Sequence, residues 1–192
     1  MSNKLDFKGI LKPALALTLI CIVTSLALAL TNSFTKDPID KIKRDKQNAA
    51  KFEVFEAADD FTDKEATDDS GNTFTYSEAL DDSGQVIGYV FQNASPGYHD
   101  NVTVITSVDL DGVILSAKAI DHQETPNIGS KIVDDPSFAQ GFSGKVGQLS
   151  FSSDGAGESQ VQSISGATKS STAFLNAVNQ SMAQYEIVKG GE

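Results

Sequence analysis

The spacing of apolar and polar residues changes character along the chain, and each change marks a different element. Pro13–Leu30 contains no charged residue, and about 18–20 apolar residues suffice to cross a bilayer core. This run predicts a transmembrane helix. Lys36-Asp37-Pro38 reads as a second helix start, with Asp37 as N-cap and Pro38 in the first turn. Behind it, Ile39, Ile42, Ala49/Ala50 and Phe52/Val54 form a thin apolar stripe suited to a stalk helix. Glu56–Asn72 is acidic and poor in large apolar residues after Phe61, and reads as a loop.

Strands follow. Phe74–Leu80 and Val86–Phe91 flank the turn cluster Asp81-Asp82-Ser83-Gly84, and Val102–Val108 and Val113–Ile120 flank Asp109-Leu110-Asp111-Gly112. Each pair predicts a hairpin. A short helix opens at Pro136, a strand returns near Val146–Phe151, and a Gly/Ser-rich segment leads to a final helix. In that helix Phe174, Ala177/Val178, Ser181/Met182 and Tyr185 recur at the helical period. The expected fold class is α+β: an N-terminal transmembrane helix, then a domain with an antiparallel or mixed sheet and flanking helices.

Charge narrows the function classes. The 192 residues carry a net charge of −11, so no basic footprint exists for nucleic acid. Residues 1–35 hold Lys4, Asp6, Lys8 and Lys12, which leaves 12 basic and 25 acidic residues beyond them, a net of −13. Lysines before the apolar run predict a cytoplasmic N-terminus and an extracytoplasmic domain. A cleaved signal peptide is the competing reading, with Ala27-Leu28-Ala29 as an acceptable cleavage triplet. Cys21 is the only cysteine and lies inside the apolar run. Cysteine-ligated iron–sulfur clusters are thereby excluded, and redox chemistry would require an added organic cofactor. Asp109-x-Asp111-Gly112 begins like a calcium loop but lacks the remaining ligands, so no metal site is expected. His99 and His122 are the only histidines and no nucleophile elbow is present, which argues against a hydrolase and leaves no catalytic residue to name.

Two motifs carry candidate chemistry. Ser165-Gly166-Ala167-Thr168 precedes the final helix, placing a threonine hydroxyl at a helix N-terminus. Unpaired N–H groups and the helix dipole favour an anion such as a phosphate there. A plain serine/threonine cap is the alternative. The second motif is His122-Gln123-Glu124-Thr125-Pro126-Asn127-Ile128-Gly129.

Together these segments resemble the FMN-binding subunits of Rnf and Na+-NQR respiratory complexes. The family's patterns are Asp-x-x-Ser/Thr-Gly-Ala-Thr and His-x-Glu-Thr-Pro-Gly-Leu-Gly. Gln162 stands where the family has aspartate, Asn127 where it has glycine, and Ile128 where it has leucine. Gly88-Tyr89-Val90-Phe91, Gly97-Tyr98, Asp135-Pro136-x-Phe138 and Phe142-x-Gly144-Lys145 extend the likeness over roughly residues 74–185.

The resemblance implies covalent FMN, with Thr168 esterified to the flavin phosphate and Ser165, Gly166 and Ala167 around it. Ser171 would be a further hydroxyl donor. Glu124, Thr125, Pro126, Asn127 and Ile128 would lie against the flavin, with Lys131 as a cation beside its reduced form and Tyr98 as a further contact. His122 is assigned no catalytic role. The implied plan is a cytoplasmic N-terminus (1–12), an anchor (13–32), a stalk helix and acidic connector (33–72) and an FMN-binding domain (73–192). The implied function is electron relay in an Rnf-type complex coupling ferredoxin/NAD electron transfer to Na+ or H+ transport in the cell membrane. Its partners would be other members of the complex and a maturing flavin transferase. The NqrC component of Na+-NQR, or a non-redox anchored binding or scaffold domain, are the alternatives.

Overall fold

The computed structural model describes residues 7–155 and 157–190. Contacts divide the chain into two compact units, Met1–Asp45 and Lys46–Glu192.

In the first unit helix α1 (Phe7–Val54, continuing into the second unit) carries the apolar run. It is the one helix among the described residues long and apolar enough to cross a membrane, with a window of mean hydropathy 2.4. Leu15, Leu17, Leu19, Ile22, Leu26 and Leu28 are all exposed, as side chains meant for lipid would be. Its threonines fit the same solvent. Thr18, Thr24 and Thr31 donate their hydroxyls to the carbonyls of Ala14, Ile20 and Ala27, each at 2.9 Å. No polar hydrogen of these three is then left facing hydrocarbon.

Pro38 does not start a helix; it lies inside α1. A proline removes a single N–H from the ladder. Good helix formers on its C-terminal side, from Lys41 through Lys51, keep the rest.

The second unit is built on a five-stranded antiparallel meander: β1 (Asp60–Thr67), β2 (Thr73–Leu80), β3 (Val86–Pro96), β4 (Asn101–Asp109) and β5 (Ile114–Asp121), ordered as in the sequence. Three of its turns share one device. Asp68, Asp81 and Asp109 accept backbone N–H bonds from residues two and four places on. The glycine three places on, Gly71, Gly84 or Gly112, takes the positive φ the turn requires.

Strand β1 corrects the reading of residues 56–72 as a loop. An edge strand needs little apolar surface, and its charges discourage pairing with other chains. Asp63 on β1 is tied by Lys51 and by the Ser77 hydroxyl, each at 2.6 Å.

Each sheet face has its own cover. On one face the last turns of α1 bring Ala50, Val54 and Phe55 onto Ala79, Val90, Ile105 and Ile120. The Phe55 ring lies so close to Gly88 that a Cβ there would come within 2.6 Å of it. On the other face helix α4 (Thr168–Gly190) packs Phe174, Ala177, Val178 and Tyr185 against Tyr89, Phe91, Val104 and Val108. The short helices α2 (Lys131–Asp134) and α3 (Pro136–Gln140) follow β5. Strands β6 (Ser150–Phe151) and β7 (Gln160–Val161) then form a separate parallel pair. The strand expected over Val146–Phe151 is thus shorter, with Val146 making only an isolated bridge to Val113.

Candidate functional site

The two sequence motifs lie close together where α4 begins. Gly166 adopts φ +78°, and a Cβ built there would meet nothing within 4 Å. The loop before α4 is tied from within: Ala167 N–H donates to the Ile164 carbonyl at 3.1 Å, and the first helical bond runs from Ser171 N–H to the Ala167 carbonyl. Ser165, Gly166, Thr168 and Lys169 are exposed, whereas Ala167, Ser170 and Ser171 are buried. Thr168 is therefore open to solvent at the first position of a 23-residue helix, where the N-terminal amides favour an anion.

Ser171 is fully buried, and its oxygen accepts the Ile164 N–H at 3.1 Å. This places it under the loop rather than on an open surface.

Glu124 is also buried, at 5% exposure, so its carboxylate does not face an open cleft. Oε1 accepts the Tyr98 N–H at 2.8 Å and the His99 N–H at 3.5 Å. Oε2 accepts the Ser170 hydroxyl at 2.5 Å. Burial alone would raise its pKa, but the Ser170 hydroxyl and the two backbone amides together hold the carboxyl below its ordinary value. Two glycines make room for it. A Cβ on Gly97 would collide with Oε1, and one on Gly129 would sit 2.7 Å from both Oε2 and the Ser170 oxygen.

The loop after Glu124 is a tight turn. Asn127 takes φ +62°, a conformation that glycine adopts freely and asparagine tolerates. Its N–H donates to the Ser130 oxygen at 2.9 Å, and the Ser130 hydroxyl donates to Asp134 at 2.6 Å. The Thr125 carbonyl accepts from Ile128 and Ser130 N–H. Pro126, Asn127, Ile128 and Lys131 are exposed. His122 turns its Nδ1 to the Glu124 N–H at 3.3 Å.

A cleft of about 690 Å³ opens beside these loops. Asn127, Lys131, Asp134 and Phe138 line one part, and Asp154, Val161, Gln162, Ile164 and Ser165 line another. Its size falls within the range of cofactor pockets, but its lining is mostly polar, with Phe138, Val161 and Ile164 as its apolar patch. Of the residues expected at the site, Ser165, Asn127 and Lys131 line this cleft. Tyr98 does not; the residue is 66% exposed and its ring stands edge-on to His99 at 4.9 Å. Sequence reasoning missed Ser170, Phe138, Val161 and Ile164. Phe138 lay inside a quoted motif, but a serine in the first turn of a helix gives no signal by itself.

Comparison with known proteins fits this arrangement. A model described as an FMN-binding domain matches residues 97–183, and one described as the RnfG N-terminal region matches residues 1–54. The chain is thus similar to an FMN-binding domain preceded by an RnfG-like N-terminal region. Among similar proteins, the G component of the Na(+)-translocating ferredoxin:NAD(+) oxidoreductase complex of Acetobacterium woodii is 29% identical, over 95% of each chain. The G component of an ion-translocating oxidoreductase complex of Methanosarcina acetivorans is also 29% identical, over 92% of this chain and 95% of that one. In fold, the chain is similar to NqrC of Shewanella oneidensis (TM-score 0.51, 20% identity, 67% of each chain). It is likewise similar to the C component of the Na(+)-translocating NADH-quinone reductase of Parabacteroides distasonis (TM-score 0.52, 25% identity, 61% of this chain and 63% of that one). An FMN-binding domain behind one candidate span among the described residues makes this a membrane-anchored FMN-binding protein.

Proposed function

We propose that this protein is an electron relay in an Rnf-type ion-translocating oxidoreductase, and that it carries FMN as a phosphoester on Thr168. The supporting observation is the exposed threonine at the first residue of α4, three residues from Ser165 in the wall of a flavin-sized cleft. With FAD as donor, the Thr168 oxygen would bond to the flavin-side phosphorus as the pyrophosphate bond breaks and AMP leaves with the hydroxyl proton, so the protein gains FMN less one water.

Bound there, FMN supplies one- and two-electron redox chemistry. The chain's own residues supply position and electrostatics. Gly166 leaves open space beside the acceptor for the phosphate, and Ser165 and the amides at the start of α4 would hold it. Phe138, Val161 and Ile164 give the cleft an apolar patch, on which the ring would rest. Asn127 and Lys131 provide a donor and a cation at its rim. Thr125, Pro126 and Ile128 complete the loop beside it. Glu124, Ser171 and the Tyr98 backbone are assigned to holding these segments rather than to touching the cofactor.

The assembly would include other membrane and peripheral proteins of the complex, with a flavin transferase for maturation. Lys4, Lys8 and Lys12 ahead of the apolar run support a single-pass topology with a cytoplasmic N-terminus. The NqrC-like fold keeps a role as the NqrC component of a sodium-translocating quinone reductase as the second reading. The match of residues 1–54 to the RnfG N-terminal region favours the first.

Intact mass tests the attachment. Co-expressed with a flavin transferase, the wild-type chain should gain the mass of FMN less one water, and Thr168→Ala should gain nothing. The same mass gain in both, or none in either, would sink the phosphoester.

A further inference from the structure

We infer that Glu124 is a positioning residue, whose carboxylate locks the first turn of α4, and with it the Thr168 hydroxyl, against the 97–99 turn and the 125–131 loop. The inference rests on Thr168 being the flavin acceptor.

One carboxylate joins three segments distant in sequence. Oε1 takes the Tyr98 N–H, Oε2 takes the Ser170 hydroxyl, and the Glu124 N–H itself is held by His122. The carboxylate packs between Gly97, against Oε1, and Gly129, against Oε2, with no room for a side chain at either. Ser170 is 2% exposed and stands two residues after Thr168 on the same helical turn. Any drift of that turn along the 125–131 loop would therefore stretch the hydrogen bond from Ser170 to Glu124. A buried, charge-assisted bond of this kind is among the strongest side-chain contacts available.

Transfer of a phosphoryl-linked group depends steeply on placement, since about 1 Å of misalignment can cost on the order of 100-fold in rate. Glu124 would thus act on the acceptor without touching it. Its neighbours Gly97 and Gly129 follow from the same requirement.

The test uses the full-length chain in detergent, with Ser170→Ala, Glu124→Ala and Glu124→Gln. Ser107→Ala serves as control: its hydroxyl is also buried, but it donates to the Val54 carbonyl on the opposite sheet face. Amide hydrogen exchange is read first, without flavin. Ser170→Ala and Glu124→Ala should speed exchange together in residues 97–99, 125–132 and 168–171, and Ser107→Ala should not. Glutamine keeps an acceptor for Tyr98 N–H and a donor for the Ser170 oxygen, so Glu124→Gln should exchange like wild type.

Flavin transfer from FAD, driven by a bacterial flavin transferase, is then followed by mass. The alanine variants should slow at least about tenfold at saturating FAD, with little change in KM, and Glu124→Gln should recover most of the rate. Exchange that rises in only one segment, or equally in Ser107→Ala, overturns the coupling. Unchanged transfer in Ser170→Ala and Glu124→Ala overturns the positioning role. A wild-type chain that takes up no flavin refutes the acceptor assignment instead, while the exchange result still decides whether Glu124 couples the three segments.

Discussion

At the scale of single residues, a buried polar atom matters most when it lacks a partner. Thr106 is fully buried on β4, and its hydroxyl is the one buried side-chain polar atom among the described residues found without a hydrogen bond. It lies on the face covered by α4, with Val104 and Val108 two places away on either side. A hydroxyl desolvated in this way costs about 1–3 kcal/mol relative to a bonded one, and valine has nearly the same shape. Thr106→Val should therefore be neutral or stabilising by up to about 1 kcal/mol, contrary to most core substitutions. Urea unfolding of the two proteins checks this, and a loss of stability in the valine variant would mean that the hydroxyl is bonded in solution.

At the scale of elements, the buried carboxylate of Glu124 links stability to pH because it joins a turn, a loop and a helix. Its folded-state pKa lies below the ordinary value: the Ser170 hydroxyl and the Tyr98 and His99 amides outweigh the opposing effect of burial. The unfolded chain consequently binds this proton more readily, and acid favours unfolding. The contribution is fully present above the unfolded pKa of about 4.3 and is lost as pH falls through the lower folded value. Melting temperatures of wild type and Glu124→Gln should therefore converge as pH drops below about 4. Asp63, also lowered, with burial opposed by Lys51 and Ser77, adds a slope common to both proteins. Parallel melting curves would show that Glu124 titrates alike in both states.

The β2–β3 and β4–β5 hairpins and the final helix were legible in the sequence because period and turn chemistry agree there. Asp81 to Gly84 and Asp109 to Gly112 state their turns outright. Strand β1 was not legible: an edge strand that carries Asp63 and Glu65 has the composition of a loop, and only its pairing with β2 shows otherwise. Pro38 misled for a related reason, since a proline marks a helix start only when the helix has not already begun. At the site, the loop motifs were visible but the burial of Glu124 was not. Its partner Ser170 stands 46 residues away in sequence, and no local pattern joins them.

For the whole molecule, the question is which side of the membrane holds the flavin domain, and the flanking charges do not all agree. Lys4, Lys8 and Lys12 precede the apolar run, and Lys12 adjoins Pro13. Lys36, Lys41, Lys43, Arg44 and Lys46 follow it, but the first of them comes six residues after Leu30. Positive charge counts in short loops and within about 15–20 residues of the apolar ends, whereas long domains translocate largely regardless of charge. The short, lysine-bearing N-terminus and the length of the following domain therefore favour a cytoplasmic N-terminus and an extracytoplasmic flavin domain. In a Cys21→Ala background, a cysteine in place of exposed Asp82 on the β2–β3 turn should react with a membrane-impermeant maleimide in spheroplasts without detergent. A cysteine in place of Ser2 should react only after the membrane is opened. The reverse pattern would put the domain in the cytoplasm, and the flanking cations after Leu30 would then be the ones that set the orientation. Labelling of both sites in intact spheroplasts would instead mean that the span does not hold the two ends on opposite sides.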